Sequence, residues 1–157
     1  MTTLYAAHRT VESEIIERIE SIVPVAQKSF RFKHYSDANE AASPIEQFTG
    51  RPRMFRLRPS IKEAAVAACA GSYREIRIMP LLITYPVDNY KGGQWDALAA
   101  DDYNQIRADL LNNASSTNGV GYRIIRPDSQ PTFEKYADDP WHLMRVGIEI
   151  YFDVTTS

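Results

Sequence analysis

Met144-Arg145-Val146-Gly147-Ile148-Glu149-Ile150-Tyr151-Phe152-Asp153-Val154 is the stretch on which the fold turns, because apolar and other residues alternate along it without a break. A period of two sends successive side chains to opposite faces of a pleated strand, whereas a helix needs a period near 3.6. Met144, Val146, Ile148, Ile150, Phe152 and Val154 thus share a buried face, and Arg145, Gly147, Glu149, Tyr151 and Asp153 lie outside it. A slip of one residue would exchange the two faces, so the register is fixed.

A strand this long needs a neighbour of similar length, and Tyr73 to Val87 offers one. It begins with Arg74, Glu75 and Arg77 among Ile76 and Ile78 and ends on Leu81-Leu82-Ile83. Unbroken, it would extend roughly 45 Å, more than a small sheet needs. Pro80 lacks an amide donor, which predicts a strand at the sheet edge or one bulged near its middle. Shorter strands are predicted where Phe30 and Phe32 alternate with Arg31 and Lys33, over Arg53 to Arg58 with Phe55 and Leu57 on one face, and over Tyr122 to Arg126 before a turn at Pro127 to Pro131.

Helical spacing appears twice. Leu4, Ala7, Val11, Ile15, Ile19 and Ile22 form one stripe, opposed by Glu12, Glu14, Glu17, Arg18 and Glu20, and Pro24 stops this helix after Val23. Asp96 is placed to cap a second helix carrying Leu98, Tyr103, Ile106 and Leu110 inward, ended by the Asn-, Ser- and Gly-containing stretch from Asn112 to Gly121. A third, short helix is predicted over Ala64 to Ala70, since Ser60 and Glu63 have capping-box spacing and Gly71 suits a helix end. Ser36 to Gly50, rich in Asp, Asn, Ala and Ser, reads as an exposed excursion. Together these elements predict an α+β fold in one domain over residues 1–157: a mainly antiparallel sheet packed against two main helices, with one long strand or hairpin extension.

With 157 residues, 44% of them hydrophobic and 24% charged, the chain is long enough and apolar enough to build one core unaided. Eighteen Lys and Arg against twenty Asp and Glu leave a net charge of −2, so no global field draws it to nucleic acid or to an anionic membrane. The single cysteine, Cys69, excludes an intramolecular disulfide and fits a buried position among alanines. No stretch approaches the apolar length of a membrane span and Met1-Thr2-Thr3-Leu4 does not begin a secretory signal, which points to a cytoplasm-like compartment.

Chemistry-bearing motifs are absent from the sequence. His8, His34 and His142 lie in no nucleophile–base pattern, and packing or surface roles are the simpler reading. His142 with Asp138 and Asp139 lacks the fixed spacing of a transition-metal site. Asp101-Asp102 read as first-turn acids that offset a helix dipole. Gly92-Gly93 and Gly119-Val120-Gly121 fit no phosphate-loop pattern and read as turns. No enzyme activity, cofactor or metal is expected. The competing class is a small ligand-binding domain or enzyme with a pocket between the sheet and the second helix, lined by Trp95, Tyr103 and Tyr122.

Arg51, Arg53, Arg56 and Arg58, followed by Lys62, form the one cationic cluster. Several cations on one surface can bind a phosphate backbone without reading sequence, which makes the four arginines candidate contacts for DNA or a partner. The competing reading is a solvated strand face.

The element order resembles the tail terminator (tail completion) proteins of long-tailed bacteriophages. The resemblance lies in the amphipathic first helix, Arg53-Met54-Phe55-Arg56-Leu57, the strand from Tyr73-Arg74-Glu75-Ile76-Arg77-Ile78 to Thr84-Tyr85-Pro86-Val87, and the terminal Met144 to Asp153. It spans most of the chain in order of elements, without an invariant motif; the insertions 36–50 and 61–71 have no counterpart. It implies a structural protein that forms a ring, usually a hexamer, on the finished tail tube. Such a ring stops tube growth and joins the tail to the head, with the tail tube protein and the head connector as partners. It also implies a place at the head-proximal end of the virion tail, after assembly in the host cytoplasm, and non-specific contact with DNA passing through the ring. Head–tail connector and tail tube proteins are the neighbouring alternatives. Arg74 and Arg77 on the long strand, with Arg145, Glu149 and Tyr151 on the outer face of the last one, are the candidate subunit-interface residues, because polar faces and strand edges supply the heterologous contacts a ring needs.

Overall fold

The computed structural model describes residues 4–26, 28–34, 53–59, 61–69, 72–86, 94–112, 120–124, 132–135 and 141–155. The fold is α+β, with two helices and a mixed sheet among these residues. In chain order the elements are α1 (Leu4–Ser21), β1 (Phe32–His34), β2 (Arg53–Leu57), β3 (Ile61–Cys69), β4 (Ser72–Pro86), α2 (Gln94–Asn112), β5 (Val120–Ile124), β6 (Thr132–Lys135) and β7 (Trp141–Thr155).

β4 and β7, fifteen residues each, form the spine of the sheet and pair antiparallel from Ser72↔Thr155 to Pro86↔Trp141. The other side of β4 carries β2 against Leu81 to Thr84 and β3 against Ser72 to Ile78. The other side of β7 carries β6 and β5, and β1 joins β2 as the one parallel pair. The long strand thus has an intramolecular partner of equal length and lies inside the sheet, not at its edge.

Pro80 is accommodated at this interior position by the break between β3 and β2. Its carbonyl accepts the Arg58 N–H at 2.9 Å, so its peptide edge points toward that break. The missing donor of Pro80 therefore faces the backbone just past the end of β2, where its carbonyl takes the bond and its nitrogen has none to give. Across β7 it meets Gly147 as a non-hydrogen-bonded pair, the closer of the two antiparallel spacings, and glycine leaves room for the ring.

The helix expected over Ala64 to Ala70 is instead β3. Alanine favours a helix locally. Cys69 and Ser72 are nevertheless paired, with only Ala70 and Gly71 between them, so the chain folds back at once and β3 zips along β4. Register shifts at Lys62/Ala64 and Ala67/Cys69 show an imperfect fit. A seven-residue alanine-rich helix would be marginal on its own, whereas the hairpin ladder gives the run a bonded neighbour along β4. β5 begins at Val120, two residues before the strand expected from Tyr122, and Thr132–Lys135, for which no strand is expected, pairs with β7 as β6.

One face of the sheet meets both helices. Val11, Ile15, Ile19 and Ile22 from α1 and Trp95, Leu98, Ala99, Ile106 and Leu110 from α2 pack on Phe55, Leu57, Met79, Leu81, Ile83, Tyr85, Met144, Val146, Ile148 and Ile150. The α1 stripe from Val11 to Ile22, the α2 stripe and the inward face of Met144 to Ile150 lie as expected; the side chains of Leu4, Ala7, Phe152 and Val154 are outside the described residues. Helix α1 ends at Ser21, and Ile22 N–H reaches back to Ile19 O at 3.2 Å.

Candidate functional site

Position 53 shares the core-facing side of β2 with Phe55 and Leu57, and position 102 continues the Leu98, Ile106 and Leu110 stripe of α2. The fold therefore brings an arginine and an aspartate together inside the core, both 0% exposed. Arg53 Nε donates to Asp102 Oδ2 at 2.6 Å, and Tyr85 Oη donates to the same oxygen at 2.9 Å. The rest of the guanidinium serves the segment between α1 and β1: Nη2 donates to Ala26 O at 2.7 Å and Nη1 to Phe30 O. Its carbon stands 5.6 Å from the centre of the Phe32 ring, and Arg53 N–H donates to Arg31 O at 3.0 Å. Asp102 Oδ1, equally buried, has no hydrogen-bond partner among the described residues.

Burial raises the Asp102 carboxyl above its ordinary pKa, against the pull of the Arg53 charge and of the bonds from Arg53 and Tyr85, with Asp101 adding a smaller push upward. Beside this cluster the Trp95 ring lies tilted against His142, with centres 4.7 Å apart, and edge-on to Tyr85 at 6.1 Å. The enclosed groups bond one another across α2, β2, β4 and the α1–β1 segment. That is the arrangement of a structural tie.

Asp101 and Asp102 are not first-turn acids: α2 begins at Gln94, and both lie about two turns inside. The signal was present, since an acid within one apolar stripe and a base on another apolar face have to meet if both faces are buried.

The arginine cluster is divided. Arg53 is removed from any DNA or partner surface by its burial, because β2 alternates and sends positions 53 and 56 to opposite faces. Arg56 is half-buried on the far face and Arg58 is exposed beyond the strand end; Arg51 lies outside the described residues.

The interface set is divided as well. Arg77 pairs with Ile150 in register and so lies on the helix side, where its Nε donates to Glu75 Oε1. Arg145, Glu149 and Tyr151 lie on the other side, with Arg74 opposite Asp153. Arg145 is exposed and Tyr151 half-buried, but Glu149, expected outside, is only 4% exposed. Its register neighbours are Ile78 and Arg123, and this second face is covered at Met54 and Leu82 too. Glu149 is therefore no free contact.

His34 lies 5.5 Å from the Phe55 ring and its N–H donates to Glu20 Oε1 at 3.0 Å. Of the residues proposed to line a pocket, Trp95 is buried and Tyr103 packs partly buried on the core, while the Tyr122 side chain is outside the described residues, as are Asp138 and Asp139. Among the described residues no group of three His, Cys, Asp or Glu is placed to hold a metal, and no helix is long and apolar enough to cross a membrane.

No protein-family model matches the chain. No curated protein matches it either.

Proposed function

We propose that the chain is a structural protein of a bacteriophage tail, of the terminator kind. It forms a ring with further copies of itself at the head-proximal end of the tail tube, ends tube growth and offers the joining surface for the head. The observation that carries this reading is the order of elements: an amphipathic helix, short strands, a fifteen-residue strand, a second helix and a closing strand of the same length. The enclosed Arg53–Asp102–Tyr85 cluster supports a structural protein, because its donors are spent on holding elements together.

Self-contact through the edge of β4 is not part of the proposal, because both of its edges are paired within the chain. The contacts fall to exposed groups such as Arg145, with the half-buried Tyr151 farther along the same face of β7, and Arg58 is the exposed described member of the arginine cluster for contact with a DNA backbone. Light scattering and negative-stain microscopy of the purified protein test the proposal. A closed ring is expected, and a particle with the mass of one chain removes it. In a phage lacking the protein, overlong or headless tails are expected; tails of normal length joined to heads overturn the assignment.

A further inference from the structure

Beyond Ile22, which packs in the core with α1, the segment that joins α1 to β1 has little burial of its own. Pro24 is buried and Ala26, Phe30 and Arg31 are half-buried, whereas Val23 and Val25 are 53% and 67% exposed and Lys28 and Ser29 are exposed. Apolar packing alone gives so thin a strip little local stability.

What holds it is a set of side chains from other elements. Gln105 on α2 grips the outer part with both ends of its amide: Nε2 donates to Val23 O and Oε1 accepts Val25 N–H, each at 3.0 Å. Arg53 on β2 grips the inner part through Ala26 O and Phe30 O. Arg53 is itself aimed by Asp102, which takes its Nε and leaves both terminal nitrogens to the segment. A planar guanidinium can serve three acceptors in fixed directions, and a lysine ammonium cannot reproduce that fork.

We infer that residues 23–26 and 28–31 form a strap that opens without unfolding the sheet, with Asp102, acting through Arg53, as its inner latch and Gln105 as its outer one. Asp102 is a positioning residue in this device, since it touches no atom of the strap. Opening of the strap displaces Val23 and Val25, the most exposed large apolar side chains among the described residues. The inference stands on contacts within one chain and is independent of the proposed ring.

Native-state hydrogen exchange of the full chain tests it. In Asp102→Asn the carboxylate that aims Arg53 is lost, and exchange across the strap is expected to rise about tenfold or more, the equivalent of one buried charge-assisted bond. Amides of β4 and β7 should change much less. Gln105→Ala, at a half-buried position on α2, should release the Val25 amide while leaving the Arg53 amide, which donates to Arg31 O, protected. Arg53→Lys should behave like Asp102→Asn. An equal rise in strap and spine would show global destabilisation instead of a strap, and an unchanged Val25 amide in Gln105→Ala would remove the outer latch; either result overturns the inference.

Discussion

Arg53 and Asp102 show what one charge does inside a core. Truncating Arg53 to Ala strands a carboxyl and two carbonyls, and urea denaturation should register a loss of about 3–5 kcal/mol. Replacing both members, as Arg53→Met with Asp102→Leu, should cost clearly less than Arg53→Ala, because nothing charged is left buried. Equal losses would mean that the pair contributes shape and not charge. The pH dependence follows from the raised carboxyl. Between its ordinary pKa and the raised one the folded chain holds more protons than the unfolded chain, so this group's contribution falls as pH climbs through that window. The melting temperature of the wild type relative to Asp102→Asn should accordingly decline from pH 4 toward neutrality. A rise over the same range would show that attraction to Arg53 outweighs burial.

Strands β4 and β7 carry the element-scale predictions. Pro80 turns its donor-less edge toward the break between β2 and β3, so Pro80→Ala should leave stability within about 0.5 kcal/mol. Met79 turns its amide the other way, toward β7. Met79→Pro should therefore lose a ladder bond as well as packing, at more than about 1 kcal/mol. Matching melting curves for the two variants would show that the assigned hydrogen-bond phase is wrong. Ile150 is fully buried opposite Arg77, and Ile150→Asp should put several kcal/mol of unfavourable burial into the spine and prevent soluble folding. Glu149→Lys should also destabilise, since Glu149 is enclosed between its neighbours and is not a surface charge.

At the scale of the whole molecule, the two long strands consume each other's length, and short strands close most of their outer edges. Self-association through the spine has only short open stretches of edge to use, which shifts the contacts of the proposed ring to side chains. Arg145 is exposed, so Arg145→Glu should keep the circular dichroism spectrum while lowering the mass seen by light scattering. Unchanged particle mass would take Arg145 out of the subunit contact.

Local periodicity by itself determined the two helical stripes, the inward face of Met144 to Ile150 and the α+β class, because a side chain's face follows from its position in a repeating backbone. Tertiary structure alone decided three things. The alanine-rich run became β3 because its partner lies across a turn in β4, where pairing outweighs a small local preference. Pro80 became an interior residue because two separate strands happen to break opposite it. Arg53 left the cationic surface because Asp102, forty-nine positions away in the chain, supplies its counter-charge inside the core. For Pro80 and Arg53 the deciding energy belongs to contacts between residues far apart in the chain, and for β3 it belongs to pairing with the neighbouring strand of a hairpin, which the local helix preference of alanine does not express.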